Sequence, residues 1–198
     1  MEQKSMPKEW SNPTPAGLVA LAVACACFFA LLTGNVQHSA MPLIGCWLLG
    51  GFVIQIVVAL LDLKGGNVAG GNTFLFFSAF FMLVSGLEMF FKYNALASGG
   101  LDTRIDGYAW SVLTVVVLLW TPAFFKKFSL LSLIVLLLNV ALPMIALTDL
   151  KVLTGAVYSN IAAYALLLAA ILAVYLSAAT VVNATFGKNV YPLPGQKK

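Results

Sequence analysis

Inside the long apolar runs of this chain, only a few side chains carry hydrogen-bonding groups, and almost all of them are uncharged. Gln55 and Asn139 offer amides, each with two donors and an acceptor. Asn12 stands at the threshold of the first run, before Pro13 and Pro15, which lack a backbone N–H and so place a helix start at or just beyond them. Asn12 can cap the freed N–H groups there, and the positive end of that helix attracts a small anion. Asn72 and Thr73 open a later run and are good capping residues as well. No Lys or Arg stands in the interior of a run, so a buried anion would find no fixed cation to offset its desolvation. Neutral dipoles bind weakly and release quickly, which suits conduction.

Glu88 is the one acid well inside an apolar run, where isolated charge costs about 2.5–3.5 kcal/mol. Lys92 follows four residues later, the spacing of a favourable pair on one helix face. A structural ion pair is the first reading of Glu88, and proton coupling is the functional alternative. For Gln55 the pore and a hydrogen bond between helices are both open. Pro143, four residues after Asn139, frees a backbone carbonyl at depth, which marks either a binding site or a tolerated kink.

Other chemistries find no support. His, Asp, Glu and Ser show no catalytic spacing, so no enzyme is expected. Cys25, Cys27 and Cys46 lie in apolar runs, are odd in number and accompany a lone His38, which argues against disulfides and against a zinc site. No metal and no cofactor is expected. The lysines form no dense patch for nucleic acid.

These residues must be positioned by membrane helices. The chain has 198 residues, 61% hydrophobic and 9% charged, with mean hydropathy +0.96 and net charge +4. Soluble domains carry roughly 25% charged residues. Six apolar segments, each near the ~20 residues that cross a bilayer, run over 15–34, 41–63, 72–91, 107–125, 128–147 and 154–182. The expected fold is all-α: a cytoplasmic tail over 1–11, a six-helix transmembrane domain over 12–183 and a cytoplasmic tail over 184–198. No cleavable signal peptide is expected. Lys4, Lys8, Lys64, Lys126, Lys127, Lys188, Lys197 and Lys198 fall on one side, and Lys92, Arg104 and Lys151 on the other. Both termini are therefore expected on the cytoplasmic side of the cell membrane. Four tryptophans, Trp10, Trp47, Trp110 and Trp120, fall near segment ends, as interface-seeking indoles should.

Asn12-Pro13-Thr14-Pro15-Ala16-Gly17-Leu18 resembles the Asn-Pro-Ala-Pro-Leu-Gly-Leu signature of the acetate uptake transporter family, with Thr14 and Ala16 as departures. Gly51 to Gln55 and Ala59-Leu60-Leu61-Asp62 are similar to its second helix, and Gly71-Asn72-Thr73-Phe74 to its third. Tyr175 matches a tyrosine of the last helix, and Asn183-Ala184-Thr185-Phe186-Gly187-Lys188 and Leu193-Pro194-Gly195 resemble the family's ending.

The resemblance implies a transporter or channel for acetate and similar small monocarboxylates, with succinate a further candidate. It implies pore contacts at Asn12, Thr14, Gln55, Asn72, Thr73, Asn139 and Tyr175. The family's apolar constriction of Phe, Tyr and Leu falls, by ungapped placement, on Leu21, Met82 and Leu133. Homohexamers with one pathway per subunit are also implied, and the alanine-rich sixth segment permits them. The residues themselves leave two other functions open: a channel for a small neutral solute such as ammonia or urea, and a non-transporting membrane sensor or assembly partner.

Overall fold

The computed structural model describes residues 10–98, 100–126 and 128–194. Lys4, Lys8, Lys127, Gly195, Lys197 and Lys198 lie outside the described residues, as does most of the N-terminal tail. Six helices are long and apolar enough to cross a membrane, and no strand occurs among the described residues. We number them α1 (Thr14–Leu32), α2 (Met41–Lys64), α3 (Val68–Ala95), α4 (Arg104–Phe125), α5 (Leu130–Asp149) and α6 (Ala156–Phe186). An all-α integral membrane protein is thus the architecture.

Local chemistry sets the ends. α1 begins with Pro13 at its cap and Pro15 in its first turn, and α2 likewise carries Pro42 near its start. α3 begins four residues before Asn72, because Asn67 accepts the Gly70 N–H at 3.0 Å and caps the helix there. Asn72 and Thr73 therefore lie inside the helix, contrary to the expectation that they open it. Ser132, in the first turn of α5, donates to the Phe124 carbonyl at 2.6 Å and so pins α5 to the end of α4. Despite Pro143, α5 is one continuous helix. α6 has 31 residues, about 46 Å, and overshoots a hydrocarbon layer of about 30 Å.

The helices pack in a closed cycle, each against the next and α6 back against α1, with sparse contact between α3 and α4. Ala162, Ala163, Ala169, Ala170 and Ala173 are buried within the subunit, so the small-residue face of α6 serves this internal packing. α3 holds an internal π-helical stretch, Phe77–Val84, whose i→i+5 turns are wider than α-helical ones. It sets Phe77, Phe81 and Met82 into the core. There Phe81 stacks on Phe28 of α1, at 5.3 Å between ring centroids, and meets Trp110 of α4 edge-on at 5.8 Å. Trp110 is accordingly a core residue, whereas Trp47 is exposed as an interface indole would be.

α2 and α3 approach closely at Gly45, where a Cβ would come within 2.7 Å of the Gly86 carbonyl oxygen. Backbone cannot yield as a side chain can. Gly45→Ala is therefore expected to cost about 1–3 kcal/mol, the usual penalty for overpacking. Gly50, with nothing within 4 Å, is the control. Thermal unfolding in detergent should show a lowered midpoint for Gly45→Ala and none for Gly50→Ala.

Candidate functional site

Two cavities open at opposite ends of the bundle. The tail-side cavity, about 660 Å³, is lined by Trp10, Asn12, Thr14, Asp62, Lys64 and Asn67 among others. It lies where α1 starts and α2 ends. The far-side cavity, about 630 Å³, lies where α1 ends and α2 starts, and includes Phe28, His38, Phe81, Glu88, Lys92, Trp110 and Asp149. From Thr14 to Phe28 the α1 axis covers about 21 Å.

At the tail side, Asn12 Oδ1 accepts the Thr14 N–H at 3.0 Å, so Asn12 does satisfy a freed donor at the helix start. The Thr14 hydroxyl donates to both oxygens of Asp62, at 3.3 and 3.4 Å, and Asn67 Nδ2 donates to the same carboxylate at 3.1 Å. Asp62 is only 4% exposed. Among the described residues no cation lies within 4.0 Å of it. Lys64 instead holds its ammonium 5.2 Å above the Trp10 ring, a cation–π contact.

Gln55 lies two turns deeper and is 1% exposed. Its Nε2 donates to the Gly17 carbonyl at 3.3 Å, while Oε1 is buried with no partner. Two residues before Gly17, the Pro15 carbonyl accepts from Ser177 of α6 at 2.9 Å. Leu21 and Met82 are buried with Leu18, Leu48, Phe77 and Phe81 in the apolar core between the cavities. Met82 Sδ lies where a Cβ on Gly51 would be 2.9 Å away.

At the far side Lys92 bridges Glu88, at 3.0 Å, and Asp106, at 2.7 Å. The expected Glu88–Lys92 pair is present, enlarged by a partner from α4. Asp149 lines the same cavity, has no cation within 4.0 Å among the described residues, and is within electrostatic reach of Lys92, Asp106, Lys151 and Glu88. In the loop before α4, hydrogen bonds from the Arg104 guanidinium hold the exposed Asp102 carboxyl down at about 2.

The other sequence candidates lie elsewhere. Asn139 Nδ2 donates to Thr121 Oγ1 at 2.7 Å across the α4–α5 contact, with Oδ1 buried and unpaired. Thr73 Oγ1 is also buried without a partner, and Asn72 Nδ2 donates to the Val68 carbonyl of its own helix at 2.8 Å. Leu133 is half-buried on α5. Tyr175, 38% exposed, turns to the C-terminal segment and donates to the Pro192 carbonyl at 2.8 Å. Asp62, Asp106 and Asp149 escaped the sequence reading because an acid at a helix end reads as an interface residue. The one available signal was the polar Thr14 and Asn67 flanking Asp62 in space, and that spacing is not linear.

The bundle is closed around an apolar core, with a polar cavity at each end. Among solved structures it matches one described as the bacterial acetate channel SatP, with a TM-score of 0.79 at 20% sequence identity. The match covers 93% of this chain and 99% of that one, and the two share a fold. No family model matches the sequence, and no curated protein does.

Lys92→Met would leave Glu88 and Asp106 half-buried without their cation, and a loss of about 1–3 kcal/mol is expected, less than for a fully buried pair. Thermal unfolding midpoints of the variant and the unaltered chain, in detergent near neutral pH, measure it.

Proposed function

We propose that the chain is a transporter or channel for acetate and similar small monocarboxylates, with succinate a further candidate. The observation that carries the reading is the placement of Gln55. It is buried between two cavities at opposite ends of the bundle, in a fold shared with an acetate channel. On this reading Asn12 and Thr14 line one mouth, Gln55 meets the solute in transit, and Leu21 and Met82 belong to the apolar wall that limits its size. Thr73 and Asn139 are further candidate contacts, since each keeps an unpaired buried oxygen. Asn72, Leu133 and Tyr175 remain candidates on the family resemblance alone.

We further propose that both termini face the cytoplasm at the cell membrane, as the distribution of basic residues favours, and that subunits assemble as homohexamers with one pathway each. One observation favours a second reading, a channel for a neutral solute such as ammonia or urea. No described Lys or Arg lies between the two cavities. Uptake of labelled acetate into liposomes, competed by urea and by succinate, separates the two.

Gln55→Leu roughly keeps the side-chain volume and removes both the donor and the acceptor of the amide. Acetate flux through the purified variant in liposomes is expected to fall about tenfold, the effect of one hydrogen bond of about 1.4 kcal/mol. Expression and elution volume should be unchanged. Normal flux would remove Gln55 from the pathway.

A further inference from the structure

Contact between α3 and α4 is sparse, and a narrow cavity of about 220 Å³ lies between them. Its rims, Phe80 and Val84 on α3 and Val112 on α4, are apolar and exposed, so in a bilayer they border acyl chains. Trp110 and Ser85 form its buried floor. Both also line the far-side cavity, so this seam and that cavity share a wall. From Asp106 to Leu113 the seam covers about 10 Å of the α4 axis, much of the depth of one hydrocarbon leaflet, about 15 Å.

One end of the seam is charged. Glu88 and Asp106 line it, and Asp106, in the first turn of α4, sets that end near the lipid head groups. Lys92 bridges the two acids at 3.0 and 2.7 Å, and no second described cation lies within 4.0 Å of either. Two carboxylates thus share one ammonium. Around them Arg104 is held by Asp102, and Asp149 adds a third acid against the field of Lys151, so a surplus of negative charge remains. A ligand that fits both ends has a hydrocarbon chain for the seam and a cationic donor for the acids. An ammonium bearing N–H groups can donate to the carboxylates, whereas a quaternary ammonium cannot and an anionic head group is repelled.

We propose that the α3–α4 seam is a lipid site. One acyl chain of a phosphatidylethanolamine lies along Phe80, Val84, Val112 and Trp110, and its ammonium completes the Glu88–Lys92–Asp106 cluster. The lipid closes the bundle where its own helices do not. The site stands whether or not the bundle conducts acetate.

The test is native mass spectrometry of the full chain, stripped of lipid in detergent and titrated with phosphatidylethanolamine, phosphatidylcholine or phosphatidylglycerol of identical acyl chains. One phosphatidylethanolamine per chain should bind about tenfold more tightly than either of the others, the effect of one charge-assisted hydrogen bond. Ala109→Phe, which puts a ring into the seam from an exposed position, should remove that lipid. Glu88→Gln with Asp106→Asn leaves Lys92 without its acids and should turn the preference toward phosphatidylglycerol. Equal affinity of the unaltered chain for the three lipids overturns the proposal without any variant. So does a preference for phosphatidylethanolamine that survives Ala109→Phe or the loss of both acids, since the lipid would then sit elsewhere. An Ala109→Phe chain that loses oligomer mass and keeps its lipid marks the seam as a contact between copies, and overturns it too.

Discussion

The first turn of α1 is held by three side chains from other helices. Thr14 gives its hydroxyl to Asp62 at the end of α2, the Pro15 carbonyl accepts from Ser177 of α6, and the Gly17 carbonyl accepts from Gln55 of α2. In a hydrocarbon layer no water is available to replace such bonds, and an unpaired polar group costs several kcal/mol. The turn is therefore a fixed point. It brings α1, α2 and α6 into register and sets one wall of the tail-side cavity, and it decides which atoms of Gln55 remain unpaired.

The bond from Gln55 to Gly17 has two consequences that pull in different directions. It stabilises the contact between helices, which is the ordinary role of an amide in a membrane bundle. It also commits the donor half of the amide and strands the acceptor half between the cavities. A structural bond thereby determines which atom of the amide is left unpaired. The same logic holds at the mouths, where Thr14, Asn67 and Lys92 are consumed by acids of the protein itself.

Between the two cavities the core is made by packing. The π-helical stretch of α3 turns Phe77, Phe81 and Met82 inward, and Phe81 meets Phe28 and Trp110 from two other helices. The notable contrast is with Leu21 and Met82, the positions that the family pattern assigns to the constriction. They are buried in the same core as these aromatic rings. Phe28, Phe81 and Trp110 also line the far-side cavity, so the apolar wall and the acidic cluster share one chamber.

The amino-acid sequence by itself determined the class of the fold. Length and hydropathy of each apolar run settle six helices, because a bilayer of fixed thickness leaves the backbone little choice. It also determined local features governed by near neighbours, such as the proline-set start of α1 and the Glu88–Lys92 pair at helical spacing. Only the tertiary structure decided the rest. It showed that Asn67 caps α3 ahead of Asn72, that Trp110 is core rather than interface, and that Tyr175 binds the C-terminal segment. The gathering of Asp62 with Thr14, and of Asp106 with Lys92, likewise appears only in three dimensions. Hydropathy records how apolar a segment is. Which of its faces meets a neighbour, a cavity or lipid depends on helix rotation, set by contacts between residues far apart in the chain.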